Sequence, residues 1–128
     1  MSTGIVLLNF GEPAEPERDR VVDYLERIFM ANADLEKYDS EQAARERSRK
    51  LAERRAPALI EEYEEIGGSP LNEQARWQAE RLEERLQSRG YDVSTYLGMQ
   101  YTEPFISDAA EAAMEDNVEQ VVGFPVYP

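Results

Sequence analysis

The spacing of apolar positions along the chain predicts three strands. Residues 4–10 form an apolar run that ends at Gly11 and Pro13, which is typical of a strand buried on both faces. Residues 91–99 alternate between apolar and polar side chains and predict a second strand. Residues 118–126 predict a third strand after the last helical segment.

Apolar residues at steps of three and four predict two helices after the first strand. One opens at Pro16, and residues 30–39 follow it as a loop. The next is long and very polar, with Ser40 as its N-cap. We expect Pro57 to end or kink it, and residues 67–68, both glycine, to stop a second piece.

Two further helices are expected in the second half of the chain. Ser69 is expected to cap the first of them, with Pro70 at its first position and Gly90 as its C-terminal residue. Pro104 opens the other helix, which ends at Asn117. Their expected inward positions are Leu71, Ala75, Ala79, Leu82 and Leu86, then Ile106, Ala109, Ala110, Ala113 and Met114.

This order of strands and helices predicts an α/β fold, a three-layer arrangement of a mainly parallel sheet with flanking helices. Ligands of such sheets bind at the carboxyl ends of the strands, which here are residues 9–11, 98–101 and 125–127. A sheet of three strands leaves an apolar edge uncovered, so we expect residues 1–128 to be one incomplete part of a larger fold.

Composition excludes several classes of function. The chain has 128 residues, and 27 acidic against 14 basic side chains give a net charge of −13. A nucleic-acid partner is therefore not expected, because phosphate backbones demand a basic face. No run is long and apolar enough to span a membrane, and no secretory signal is evident, so we expect a cytoplasmic location.

The chain contains neither cysteine nor histidine. It therefore offers no disulfide, no thiolate nucleophile, no imidazole base and none of the common zinc or iron–sulfur ligand sets. We expect no metal site and no bound cofactor in these residues.

Three local features have candidate chemistry beside an ordinary structural explanation. The turn at residues 9–13 is either a plain strand-to-helix connection or part of a ligand edge. The glycine stop followed by Ser69 is either a helix junction or an anion site at a helix start. Arg54 and Arg55, placed before Pro57, are either surface charges or carboxylate ligands.

Four segments together resemble the N-terminal part of the ferrochelatase family. Leu7–Pro13 is similar to the family pattern LLNxGxP, and Arg54–Leu71 to RRxPxIxxxYxxIGGxSPL. Tyr96–Pro104 is similar to YxGxxYxxP, and Phe124–Pro128 to FxxYP. The likeness covers nearly the whole chain in the family's order and is more specific than any single segment.

The resemblance implies a lyase that inserts Fe²⁺ into a porphyrin in haem biosynthesis, with both molecules as substrates rather than cofactors. It also implies one half of a chelatase-like two-domain fold. The positions that match porphyrin-contacting residues are Phe10, Arg55, Tyr63, Ser69, Tyr101 and Tyr127. Ile28, Phe29 and Met30 match the apolar lip of the family's cleft, which touches the membrane in some members.

Departures from the family pattern limit what this chain does alone. Gln100 stands where many members carry arginine, and Ala58 stands where some carry lysine. Both differences weaken charge pairing with the propionate groups. The family's catalytic histidine and its glutamate partner lie on a later segment that is absent here, so we expect no catalytic residue within residues 1–128. Alternatives are an inactive tetrapyrrole-binding protein or partner subunit, a chelatase for another metal such as cobalt, and an acidic helical interaction domain.

The acidic surface has two interpretations that a salt titration separates. Ordinary solvated helix faces predict a melting temperature that does not rise with KCl. Adaptation to high salt predicts a rise between low and molar KCl, because screening relieves the repulsion among 27 carboxylates. Melting curves followed by circular dichroism provide the measurement, and the absence of a rise excludes the high-salt interpretation.

Overall fold

The structure is a computed structural model that describes residues 1–33 and 37–126. The elements are β1 (Thr3–Asn9), α1 (Arg18–Ala31), α2 (Glu41–Glu65), α3 (Leu71–Ser88), β2 (Val93–Met99), α4 (Ile106–Glu115) and β3 (Gln120–Pro125). The strands form one sheet in the order β2-β1-β3, and both pairs are parallel. The predicted α/β class is therefore confirmed.

The chain divides into two compact units. One comprises Met1–Gly11 with Pro70–Pro128 and holds the sheet, α3 and α4. The other is Glu12–Ser69 and holds α1 and α2. No helix among the residues that the structure describes has the length and apolar character needed to cross a membrane.

The two helices of the sheet unit cover opposite faces of the sheet. On one face, the Thr95 hydroxyl of β2 donates a hydrogen bond to the Ala79 carbonyl of α3, at 3.0 Å. On the other face, Gly98 lies against Ile106 of α4, where a Cβ on the glycine would come within 3.2 Å of the Ile106 backbone. Side chains alternate along a strand, so Thr95 and Gly98 point to opposite faces and the predicted three-layer arrangement is confirmed.

The uncovered apolar strand expected from the sequence is β3. All six of its residues are exposed, and Val121, Val122 and Phe124 retain 52%, 45% and 51% of their accessible surface. By contrast, Val6 and Leu7 of the central strand β1 are buried on both faces.

The second unit is a pair of helices with a small apolar core. Val21, Val22 and Leu25 of α1 form a buried cluster with Ala52 and Ala56 of α2. The buried side of α2 consists of small residues four positions apart, which allows the two helices to approach closely: Ala44, Ser48, Ala52 and Ala56. The sparse apolar pattern of α2 is therefore sufficient for a packed face.

An arginine on α2 links the two helices across the rim of this core. The Arg49 guanidinium lies 2.8 Å from Asp23 and 2.9 Å from Glu26, both on α1, and 3.4 Å from Glu53. Hydrogen bonds to Glu26 and Asp23 raise the pKa of Arg49. Because all but one of these side chains are about half exposed, we expect the cluster to orient α1 on α2 more than to stabilise the unit.

The helix end that we expected as one alternative at Pro57 was wrong, since α2 runs unbroken through it from Glu41 to Glu65. A proline there removes the hydrogen bond that its N–H would donate to the Glu53 carbonyl. Burial of Ala56 and packing of Leu59 and Ile60 against the α1 core compensate for that loss. Tertiary contacts therefore override the local signal.

Two smaller expectations were also wrong. Helix α3 begins at Leu71 with Pro70 at the cap position, so Ser69 lies one residue before the cap. Ile106, Ala110 and Met114 of α4 were expected to face inward but are exposed, and only Ala109 and Ala113 of that helix are buried. The Ser40 cap was confirmed, and its hydroxyl accepts a hydrogen bond from the Ala43 N–H at 3.1 Å.

The chain leaves β1 through Gly11, whose surroundings admit no side chain. Its φ is +76°, in the left-handed region, and a Cβ there would clash with the Thr102 methyl group and lie 3.0 Å from the Met99 Cβ. Gly90 after α3 has a similar φ of +90°, but a Cβ there would meet nothing within 4 Å.

These two glycines provide a matched pair of substitutions. Gly90→Ala should cost about 1–2 kcal/mol of unfolding free energy from backbone strain alone. Gly11→Ala should cost about 1–3 kcal/mol more, because the added methyl group overpacks the turn. Denaturant unfolding of both variants measures the difference. Equal losses would show that the turn at Gly11 is not crowded.

Candidate functional site

The carboxyl edge of the sheet carries a stacked aromatic pair. Phe10 follows β1 and Tyr101 follows β2, and their ring centroids are 5.7 Å apart with an interplanar angle of 18°. Phe10 is 40% exposed and Tyr101 is half-buried. The structure thus brings together two of the residues expected from the sequence, with aromatic surface still open to a ligand.

Backbone hydrogen bonds hold this pair beyond the ends of the strands. The Gln100 N–H donates to the Asn9 carbonyl at 2.8 Å, and the Tyr101 N–H donates to the Phe10 carbonyl at 3.1 Å. The first bond completes the ladder between β1 and β2, and the second lies beyond the last residue pair of that ladder, Asn9 with Met99. The two rings are carried by hydrogen-bonded backbone rather than by open loops.

Such a pair suits a flat apolar ligand. Aromatic rings contribute large contact areas and prefer offset stacked or edge-to-face partners. Ligand sites of parallel sheets lie at this same edge of the fold. The arrangement can bind the face of a planar ring system.

The helical unit carries a candidate cation. The Arg55 guanidinium lies over the Phe29 ring at 5.9 Å from its centroid, and the arginine is exposed. Phe29 itself, with Ile28 and Met30, is half-buried at the carboxyl end of α1. A guanidinium beside an aromatic ring keeps N–H donors for a carboxylate, which makes Arg55 a candidate carboxylate ligand.

Tyr63 is a neutral hydroxyl donor in the same helical unit. Burial, together with Tyr24 and the carboxylates of Glu12 and Glu62, raises the pKa of Tyr63 to about 12. Its phenol therefore stays protonated throughout the physiological range. It can donate a hydrogen bond to an anionic ligand without carrying charge.

Sequence reasoning missed Glu12, which is only 5% exposed. Acidic side chains are rarely buried to this extent unless they are paired. The residue stands inside the turn motif that follows β1, but nothing in the local pattern distinguishes it from a solvated acid. Its contribution to the raised pKa of Tyr63 depends on the folded structure and cannot be inferred from the sequence.

Two further residues expected at the site are Ser69 and Tyr127. Ser69 is half-buried, between the glycines that end α2 and the start of α3. Tyr127 lies outside the described residues. Among the described residues, no three acidic side chains form a group able to hold a metal ion.

Comparison with known proteins gives one family. The ferrochelatase family model matches residues 2–128. The mitochondrial ferrochelatase of Dictyostelium discoideum is 32% identical over 136 aligned positions, which cover 100% of this chain and 30% of that protein. The ferrochelatases of Gloeothece citriformis and Desulfotalea psychrophila are each 33% identical and cover 98% of this chain, with 32% and 38% of their own lengths matched. The chain thus spans about a third of the length of these relatives.

The raised pKa of Tyr63 predicts a specific loss of stability in alkali. An unfolded tyrosine ionises near pH 10 and the folded Tyr63 near pH 12, so between these values the unfolded state binds fewer protons. The free energy of unfolding must therefore fall across that window. Tyr63→Phe should lose less stability than the wild type between pH 9 and pH 11 in urea unfolding. Parallel losses in the two proteins would contradict the buried, protonated phenol.

Proposed function

Since the chain belongs to the ferrochelatase family, we propose that it supplies part of the porphyrin site of an enzyme that inserts Fe²⁺ into a porphyrin in haem biosynthesis. The observation that carries the proposal is the family match across residues 2–128. The stacked aromatic pair at the carboxyl edge of the sheet supports it, because a porphyrin is planar and apolar on both faces.

In this proposal Phe10 and Tyr101 form one wall for the macrocycle. Phe10 stands where the resemblance places a methionine or tyrosine, and its phenyl ring can pack on the porphyrin but cannot ligate iron. A product held by a tyrosinate–iron bond at this position is therefore not expected. Binding energy gained over the ring faces can support a bent macrocycle, which exposes the nitrogen lone pairs to the metal.

The residues that the resemblance assigns to the propionate groups lie in the helical unit. Arg55 offers a charged fork and Tyr63 a neutral hydroxyl, and both lie on α2, eight residues apart. Positions at i, i+4 and i+8 share one helix face, so Arg55, Leu59 and Tyr63 form one row. Ser69 supplies a further hydroxyl after the helix ends.

Metal insertion also needs a base that this chain does not provide. Two inner N–H protons leave the porphyrin as Fe²⁺ binds, so a proton acceptor must lie on one face of the ring. The sequence contains no histidine, and the resemblance places the catalytic one on a later segment. We therefore assign the proton transfer to the C-terminal part of the enzyme, with this chain binding and orienting the ring.

The proposal extends to the surroundings of the site. Residues 28–30 form the apolar lip, which would contact a membrane peripherally, and the enzyme would act in the cytoplasm. A chain that binds tetrapyrrole without turnover, as a carrier or partner subunit, is the second candidate. The absence of histidine from the sequence favours this candidate over an enzyme complete within 128 residues.

A fusion protein tests the assignment of the base. Residues 1–128 are joined to the part of the Gloeothece citriformis ferrochelatase that lies outside the matched region. The fusion should bind protoporphyrin IX and insert iron into it, and changes in the Soret absorption band measure both steps. The 128-residue chain alone should insert no iron. Iron insertion by the chain alone would overturn the proposed division, and binding without turnover in the fusion would favour the carrier.

Within that fusion, Arg55→Ala and Ser69→Ala should raise the KM for porphyrin. Losing a hydrogen bond from a charged partner costs about 1.5–3 kcal/mol, so Arg55→Ala should raise KM about tenfold or more. Arg47→Ala, an exposed arginine of the same helix, is the matched control and should leave KM unchanged. Unchanged kinetics in both Arg55→Ala and Ser69→Ala would refute the propionate assignment.

A further inference from the structure

Asn9 is a buried polar residue at the carboxyl end of the central strand. It is 6% exposed, and it directly precedes Phe10, the first ring of the aromatic pair. Its side-chain Oδ1 accepts a hydrogen bond from the Phe10 N–H at 2.8 Å, while its backbone carbonyl accepts one from the Gln100 N–H at 2.8 Å. One residue thus binds the backbone of both chain segments that carry the rings.

The pairing of β1 with its two neighbours ends at different points. Toward β3 the register ends with Leu8 opposite Pro125, and the Val126 N–H donates to the Leu8 carbonyl at 3.0 Å. In a regular parallel ladder, the Phe10 N–H would then donate to the Val126 carbonyl. Here the Asn9 side chain accepts the Phe10 N–H instead. Toward β2, the register ends with Asn9 opposite Met99, and beyond it the Phe10 carbonyl accepts the Tyr101 N–H.

Phe10 is therefore held from both sides of its own backbone. Its N–H is bound by Asn9 Oδ1, and its carbonyl by the Tyr101 N–H at 3.1 Å. Gly11 then turns the chain away at a φ of +76°. A hydrogen bond from a side chain to the next backbone N–H is a local alternative to a sheet ladder and sets the direction in which the chain leaves it.

We propose that Asn9 is a positioning residue that takes Phe10 out of the ladder with β3 and sets its ring on that of Tyr101. The ring geometry is independent of any ligand. Its consequence for porphyrin binding rests on the proposed function, in which this pair is a wall of the macrocycle site. Asn9 acts there through Phe10 and does not itself touch the ligand.

The hydrogen bond is directly measurable in the 128-residue wild-type chain. A trans-hydrogen-bond scalar coupling between the Phe10 amide nitrogen and the Asn9 side-chain carbonyl carbon is expected by NMR. A coupling to the Val126 carbonyl carbon instead would overturn the proposal. This measurement needs no substitution and therefore does not depend on whether a variant folds.

Three substitutions then separate positioning from stability. Asn9→Leu removes the acceptor at similar size and should abolish the nuclear Overhauser contacts between the two rings. Asn9→Asp keeps an acceptor oxygen and should retain those contacts, whatever it costs in unfolding free energy. Val93→Ala, a buried position at the amino end of β2, lowers stability at the opposite end of the sheet and should leave the contacts intact. Ring contacts that persist in folded Asn9→Leu would refute the assignment.

Porphyrin titration of the fusion protein measures how the Asn9 substitutions change ligand affinity. Asn9→Leu should weaken protoporphyrin IX binding about tenfold, while Asn9→Asp and Val93→Ala should remain within about twofold of the wild type. Equal affinities for Asn9→Leu and wild type would contradict the role in ligand binding. If the wild-type fusion bound no porphyrin, the proposed function would fail, and the NMR result would still decide the role of Asn9 in the ring geometry.

Discussion

The parallel pairing of β1 between β2 and β3 is the constraint on which the rest of the structure depends. Parallel register aligns the carboxyl ends of neighbouring strands at one edge, so the residues that follow β1 and β2 become neighbours although ninety positions separate them. Phe10 and Tyr101 stack because of this register. A slip of one residue would turn every side chain of the strand to the opposite face and destroy the pair.

The negative net charge of the chain makes the few candidate donor groups important for binding an anionic ligand. A net charge of −13 repels an anionic ligand at long range, so a porphyrin with propionate groups gains nothing from the overall field. In the proposed function, binding of the porphyrin would therefore depend on a few local donors. Arg55 would provide a positive charge that lies over Phe29, and Tyr63 would provide a hydroxyl that remains protonated because burial raises its pKa to about 12. One donor is charged and the other is neutral.

Periodicity, together with proline, glycine and cap residues at the boundaries, predicted the elements and the parallel sheet, because strands and amphipathic helices carry their burial pattern locally. The failures came where tertiary contacts decide the outcome. Helix α2 passes through Pro57 because Ala56, Leu59 and Ile60 pack on α1, which no local signal contains. The parallel topology predicted that the residues after β1 and β2, among them Phe10 and Tyr101, would lie at one edge of the sheet. The burial of Glu12 and the diversion of the Phe10 N–H by Asn9 depend on atomic contacts formed only in the folded chain.

Occupation of this aromatic edge by the macrocycle is tested most directly by the ring current of the porphyrin itself. In the fusion protein with ¹³C-labelled phenylalanine and tyrosine, metal-free protoporphyrin IX should shift the aromatic protons of Phe10 and Tyr101 strongly upfield, since both would lie against the face of the ring. Saturating porphyrin that shifts other aromatic residues and leaves these two unmoved would contradict the account.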